Sequence, residues 1–186
     1  MEELEFHLEH AKETMDKTVS HTASELGKIR AGKASPSMLD GLMVDYYGTP
    51  TPVNQVAAVN TPDARSITIK PWEKAMIGEI EKAIINSDLG LNPQNDGELI
   101  RINVPPLTEE RRKSLVKQAK AEAENGKISI RNIRKDTNDA LKKLLKEGVS
   151  EDMVKSAEED VQKITNSHVA KIDEILATKE VDIMTI

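Results

Sequence analysis

The chain contains no cysteine. That removes disulfides, thiolate nucleophiles and Cys-ligated zinc or iron–sulfur centres. Aromatic residues are almost as scarce: Phe6, Tyr46, Tyr47 and Trp72 are the whole set in 186 residues. So few rings exclude recognition by stacking successive bases on aromatic side chains. Long apolar runs are missing too. The longest, Val56-Ala57-Ala58-Val59, is far short of the ~20 residues that cross a bilayer. No apolar stretch follows a basic start, so no signal peptide is expected. There is no G-x-x-x-x-G-K-[ST] phosphate loop, no G-x-G-x-x-G and no G-x-S-x-G. What these absences leave is a soluble, cytoplasmic protein with no membrane partner and no cofactor, and a binding role rather than an enzyme.

What is present is charge and helix period. In residues 2 to about 30, Leu8, Met15, Thr22 and Ile29 repeat every seven, with Leu4, Ala11, Val19 and Leu26 between them. This 3–4 alternation is the seam of a bundled helix. The period stops in residues 31–104. All eight prolines fall between Pro36 and Pro106. Val44-Asp45-Tyr46, Ile67-Thr68-Ile69 and Leu99–Val104 read as strands, Gly48–Pro52 as a turn or extended edge, and Asn95-Asp96-Gly97 as a hairpin turn. One helix is expected at about 73–87. From Thr108 the helix period returns. Val116, Ala119, Ala123, Gly126, Ile130, Ile133, Thr137, Ala140 and Leu144 follow a 3-4 spacing. Gly148 reads as a C-terminal cap, and Ser150 caps a third helix that runs to about 184.

The short link between the last two helices makes them antiparallel neighbours, and the first helix supplies the face they lack. The fold expected is α+β: an elongated antiparallel three-helix bundle (1–30 and 105–186) with a small inserted β/α/β domain (31–104). Two short strands of chain join them, Ala31-Gly32-Lys33-Ala34 and Val104-Pro105-Pro106. These form a candidate two-stranded hinge, and the whole is expected to be bent into an L.

The net charge of −6 hides an uneven distribution. Residues 109–146 hold 12 basic and 6 acidic residues, a net of +6; the remaining 14 basic and 26 acidic give −12. On a wheel of ~100° per residue, Lys113, Lys117, Lys120, Lys127, Arg134, Lys135, Lys142 and Lys146 fall within about 60° of Arg131. Only Glu109, Glu110 and Glu124 intrude on that face. Two readings stand: a solvated helix face, or a surface for a polyanion recognised through its phosphates. The shortage of aromatics turns the second toward backbone and shape rather than bases.

The histidines offer little chemistry. His7 and His10 lie on one side of the first helix with Glu3 a turn earlier, but nothing closes a metal site around them. His168 falls on an apolar seam and reads as a packed core histidine. One of the adjacent Tyr46 and Tyr47 rings must point inward by alternation.

Five segments carry a resemblance: Arg30–Ser37 (RAGKASPS), Asp45–Pro52 (DYYGTPTP), Ser87–Pro93 (SDLGLNP), Pro105–Arg112 (PPLTEERR) and Arg131–Asp136 (RNIRKD). In order and across essentially the whole chain, they closely resemble the bacterial ribosome recycling factor family. The resemblance implies a three-helix bundle with a hinged β/α/β insert, of tRNA-like shape and acting as a monomer. It implies binding to the post-termination ribosome along large-subunit RNA. With elongation factor G in its GTP-bound state, such a factor splits the subunits and releases mRNA and tRNA, without catalysing a covalent reaction. It assigns RNA contact to Arg131 and Arg134, and more weakly to Arg30 and Arg112. At Lys135 the family often has Arg, so the charge is kept but not the bidentate fork. The insert resembles the part that meets elongation factor G. The alternative, from the residues alone, is a protein-binding adaptor or holdase-like bundle working through its acidic surfaces.

Overall fold

The protein is described by a computed structural model over residues 1–185. It divides into two compact units: Met1–Ala31 with the chain from Thr108 onward, and Gly32–Leu107. The first holds helices α1 (Glu2–Lys28), α3 (Glu109–Lys146) and α4 (Glu151–Met184); α2 (Ile77–Ile85) lies in the second.

Each bundle helix packs against both others. α1 buries Leu4, Ala11, Met15, Thr22 and Leu26, the seam its period demands. Leu4 belongs to one buried cluster with Leu141, Leu144, Val154 and Val161, and Met15 to another with Ala123, Ile130 and Ile172. Toward its ends α3 departs from the expected seam. Leu115 and Leu141 are buried where Val116 and Ala140 were expected to lie deepest. A straight helix of 3.6 residues per turn drifts by ~20° per heptad against a 3.5 seam, which exchanges neighbouring positions over this length.

Gly126 shows why a residue that weakens a helix by ~1 kcal/mol relative to Ala sits in the middle of α3. A Cβ there would collide with Thr22 Oγ1 of α1 and come within 3.1 Å of Ile172 Cδ1 of α4. The missing side chain is what lets both partners approach. Thr22 donates its hydroxyl proton to the Thr18 carbonyl (2.9 Å), so this buried hydroxyl is satisfied within α1.

The helix ends follow local chemistry. Thr108 Oγ1 accepts from the Arg111 N–H (3.1 Å) and Ser150 Oγ from the Met153 N–H (3.3 Å), each cap contributing about 1 kcal/mol. α3 ends in a Schellman turn: Gly148 at φ +94° donates to Leu145 O, and Val149 N–H reaches Leu144 O at 3.1 Å.

The second unit is entirely antiparallel. Strands β1 (Met43–Tyr46) and β2 (Thr49–Pro52) form a ribbon. Strands β3 (Ala57–Asp63), β4 (Ser66–Pro71), β5 (Pro93–Asn95) and β6 (Ile100–Asn103) make a sheet in the order β3-β4-β6-β5. Alternation on β4 and β6 sets Ile67 opposite Ile102 and Ile69 opposite Ile100. With Ile80 and Ile84 of α2 and Val44 of β1 these make the core. β3 is a strand that the sequence pattern did not single out, and α2 is shorter than expected because Lys74–Met76 form a 3-10 turn before it.

Both connecting strands of chain hang on one turn. Ala34 N–H donates to Ala64 O (2.8 Å) and Val104 N–H to Arg65 O (2.7 Å), within the β3–β4 link. That bond and the burial of Val104 place Val104–Leu107 with the insert rather than with the bundle. Gly32, at φ +71°, leaves no room for a side chain: a Cβ would lie 2.5 Å from Leu107 Cγ. The first connection therefore rests on the second.

Candidate nucleic-acid interface

The basic stripe lies on α3, whose buried face (Ala119, Ala123, Ile130, Leu141) is turned to its helix partners. Lys113, Lys117, Lys120, Arg131, Lys135, Lys142 and Lys146 are exposed, whereas Lys127 and Arg134 are partly covered. Arg112 is half-buried and about 100° from Arg131 on the wheel. Arg30 is exposed beyond the end of α1. The structure brings neither onto the stripe.

Sequence spacing suggested that the stripe had too few acids for pairing. The structure corrects that. Glu109 pairs with Lys113 at 3.3 Å, and Glu124 Oε1 accepts from Arg131 NH1 at 3.0 Å. α4 supplies two more partners that a wheel of α3 alone cannot show: Asp173 to Lys127, and Glu180 to Lys120 at 3.9 Å. The Lys127 side chain is only 18% exposed, so it serves the α3–α4 contact. Among the described residues, Lys117, Lys135, Lys142 and Lys146 have no carboxylate within 4.0 Å. With Arg131 they fall within about 60° of one line on the wheel. Arg134 donates to Gln162 Oε1 at 3.5 Å, and Gln162 donates in turn to Asn166 Oδ1 at 2.8 Å. Its charge is thus left uncancelled.

The other candidates resolve as structure. His168 is 2% exposed, with Nδ1 2.7 Å from Ile164 O and Nε2 2.6 Å from Asp16 Oδ1, so neither ring nitrogen is open to a substrate. The His10 ring stacks on Phe6 (centroids 6.1 Å apart) and His7 meets the same ring edge-on. No group of three or more potential metal ligands occurs among the described residues. Tyr46 and Tyr47 both donate to the Glu73 carboxylate, at 2.8 and 2.9 Å. Tyr46 packs on the core while Tyr47 is exposed. Glu73 had no sequence signal, because its partners lie 26 and 27 residues away. No helix of the described chain is long and apolar enough to cross a membrane.

Fold and surface define a class: a three-helix bundle interrupted by an antiparallel α/β module, with one cationic helix face on an acidic chain. Comparison with known proteins narrows it. The family model described as ribosome recycling factor matches residues 22–184. The ribosome-recycling factor of Cytophaga hutchinsonii is 61% identical over the full length of both chains. That of Flavobacterium johnsoniae is 57% identical, covering 100% of this chain and 99% of its own. A solution structure of ribosome recycling factor matches over the full length of both chains, with TM-score 0.72 and 34% identity. A second solved structure presents models of the T. thermophilus ribosome recycling factor and the E. coli elongation factor G bound to the E. coli post-termination complex. It matches 98% of this chain and 99% of its own at 44% identity and TM-score 0.61. The chain belongs to the ribosome recycling factor family. Its function is ribosome recycling, the work of a translation factor that is not an enzyme.

Proposed function

We propose that this protein binds the post-termination ribosome through large-subunit RNA and, with GTP-bound elongation factor G, drives the subunits apart so that mRNA and tRNA leave. The observation that carries the RNA assignment is the outward line of Lys117, Arg131, Lys135, Lys142 and Lys146, four of them without carboxylate partners. Exposed cations spaced along a rigid helix suit phosphates, and each phosphate neutralised adds to affinity through counterion release. Arg134 adds an uncancelled charge at one edge; Lys113 and Lys120 extend the face, and Lys127 contributes by holding α3 to α4. Arg30 and Arg112 act outside the stripe, as secondary contacts. The acidic remainder of the molecule limits attachment to RNA elsewhere.

The insert is the part that meets elongation factor G, and Ala31–Ala34 with Val104–Pro106 form the hinge through which its displacement reaches the bundle. The test is splitting of post-termination ribosomes by elongation factor G and GTP, followed by light scattering, with and without this protein. Stimulation is expected. No stimulation by a folded sample would overturn the proposal.

A further inference from the structure

Glu124 is the one acid in the middle of the stripe, about 20° from Arg131 on the wheel. The two residues are seven apart, about two turns or roughly 10 Å along the axis. Their side chains must therefore reach toward each other to close the 3.0 Å contact. The neighbouring cations do not compete for Glu124, because Lys120 turns to Glu180 and Lys127 to Asp173. Arg131 is thus held across the top of the turn carrying Lys127 and Ile128, its guanidinium already on an anionic oxygen. Both side chains are about half exposed, at 47% and 53%, so the pair is weak by itself and an incoming phosphate can displace it.

From this we infer that Glu124 is a positioning and specificity-determining residue for RNA binding, standing in for a phosphate on Arg131 until the correct site replaces it. The inference rests on the RNA-docking role proposed above. Its physical content is twofold. The carboxylate keeps Arg131 extended along the stripe, which lowers the ordering cost of docking. It also sets a like charge against any phosphate that approaches without the right geometry, so isolated RNA gains less from Arg131 than a surface shaped to displace Glu124. Glu124 thereby lowers affinity for arbitrary RNA more than affinity for the true site.

The experiment measures dissociation constants over a salt series for purified large ribosomal subunits and for a random-sequence RNA duplex. It compares the unaltered chain, Glu124→Gln, Arg131→Ala and the double variant. Circular dichroism checks that helicity is kept. Glu124→Gln is expected to tighten duplex binding about three- to tenfold and to steepen the log–log salt slope by roughly 0.7–0.9, one more phosphate neutralised. The gain on large subunits should be smaller, and both gains should disappear with Ala at 131. An unchanged slope, an equal gain on both RNAs, or a gain that persists without Arg131 would overturn the inference. Salt-insensitive binding of the unaltered chain to large subunits would instead overturn the parent proposal.

Discussion

His168 and Asp16 join α4 to α1 through a 2.6 Å contact between Nε2 and Oδ1, while Nδ1 of the same ring lies 2.7 Å from the Ile164 carbonyl. The least exposed histidine is thus held at both ring nitrogens, by its own helix and by α1. Asp16 also faces Lys171 at 3.7 Å. The hydrogen bond from His168, and then the charges of His168, Lys171 and Lys12, hold its carboxyl below the usual range.

The sign of the pH effect follows. A carboxyl depressed in the folded state contributes stability above its unfolded value, near 3.8, and that contribution fades as pH falls through the folded value. Melting temperature against pH should therefore drop below about pH 4, and Asp16→Asn should flatten that limb. An acid limb left unchanged in Asp16→Asn would contradict the depressed Asp16 carboxyl.

Tyr46 and Tyr47 are the only tyrosines, so phenolate absorbance reads them alone. Their hydrogen bonds to Glu73, with its charge, raise both phenols above the ordinary value of 10.0. A raised folded value means stability complete below the unfolded value and lost as pH climbs through the folded one. Alkaline titration should show both midpoints above 10, and Glu73→Gln should lower them. The pair also anchors a two-residue turn, Tyr47 at φ +49° and Gly48 at φ +88°, a backbone state that tyrosine adopts at a cost.

Two glycines in helical surroundings should respond oppositely to alanine. Gly27 has open space around it, so Gly27→Ala should stabilise by about 0.5–1 kcal/mol. Gly126→Ala must displace Thr22 or Ile172 and should destabilise by about 1–3 kcal/mol despite the better helix propensity. Urea denaturation distinguishes the two.

At the connection, Gly32→Ala meets both a left-handed φ and the Leu107 side chain. The backbone penalty alone is about 1–2 kcal/mol. Leu107→Ala in the same chain should relieve the collision and not the φ strain. If the hinge carries the push of elongation factor G, Gly32→Ala should slow subunit splitting severalfold while leaving affinity for large subunits near normal, a split that the two assays measure separately.

The helices were legible because their physics is local. Leu4, Ala11, Met15 and Leu26 state a seam, and Thr108, Ser150 and Gly148 state where helices begin and end. Strand β3 was not legible: Ala57–Asp63 carries Pro62 and no clean alternation, and its register comes from pairing with β4. The cationic face could be drawn from spacing, and so could Glu124 within it. Asp173 and Glu180 could not, since they reach α3 only once α4 is docked. Glu73 was hidden for the same reason. Gly126 looked like a defect in a helix until the partners that need its missing side chain were in place.

The central claim is that one face of α3 docks on RNA through phosphates. The dissociation constant for large ribosomal subunits, measured over a salt series, tests it most directly. The account predicts a steep log–log salt dependence whose slope falls by roughly 0.7–0.9 for each of Lys117→Ala, Lys135→Ala and Lys142→Ala, with helicity retained. Affinity that ignores salt, or that survives the loss of all three charges, would contradict it.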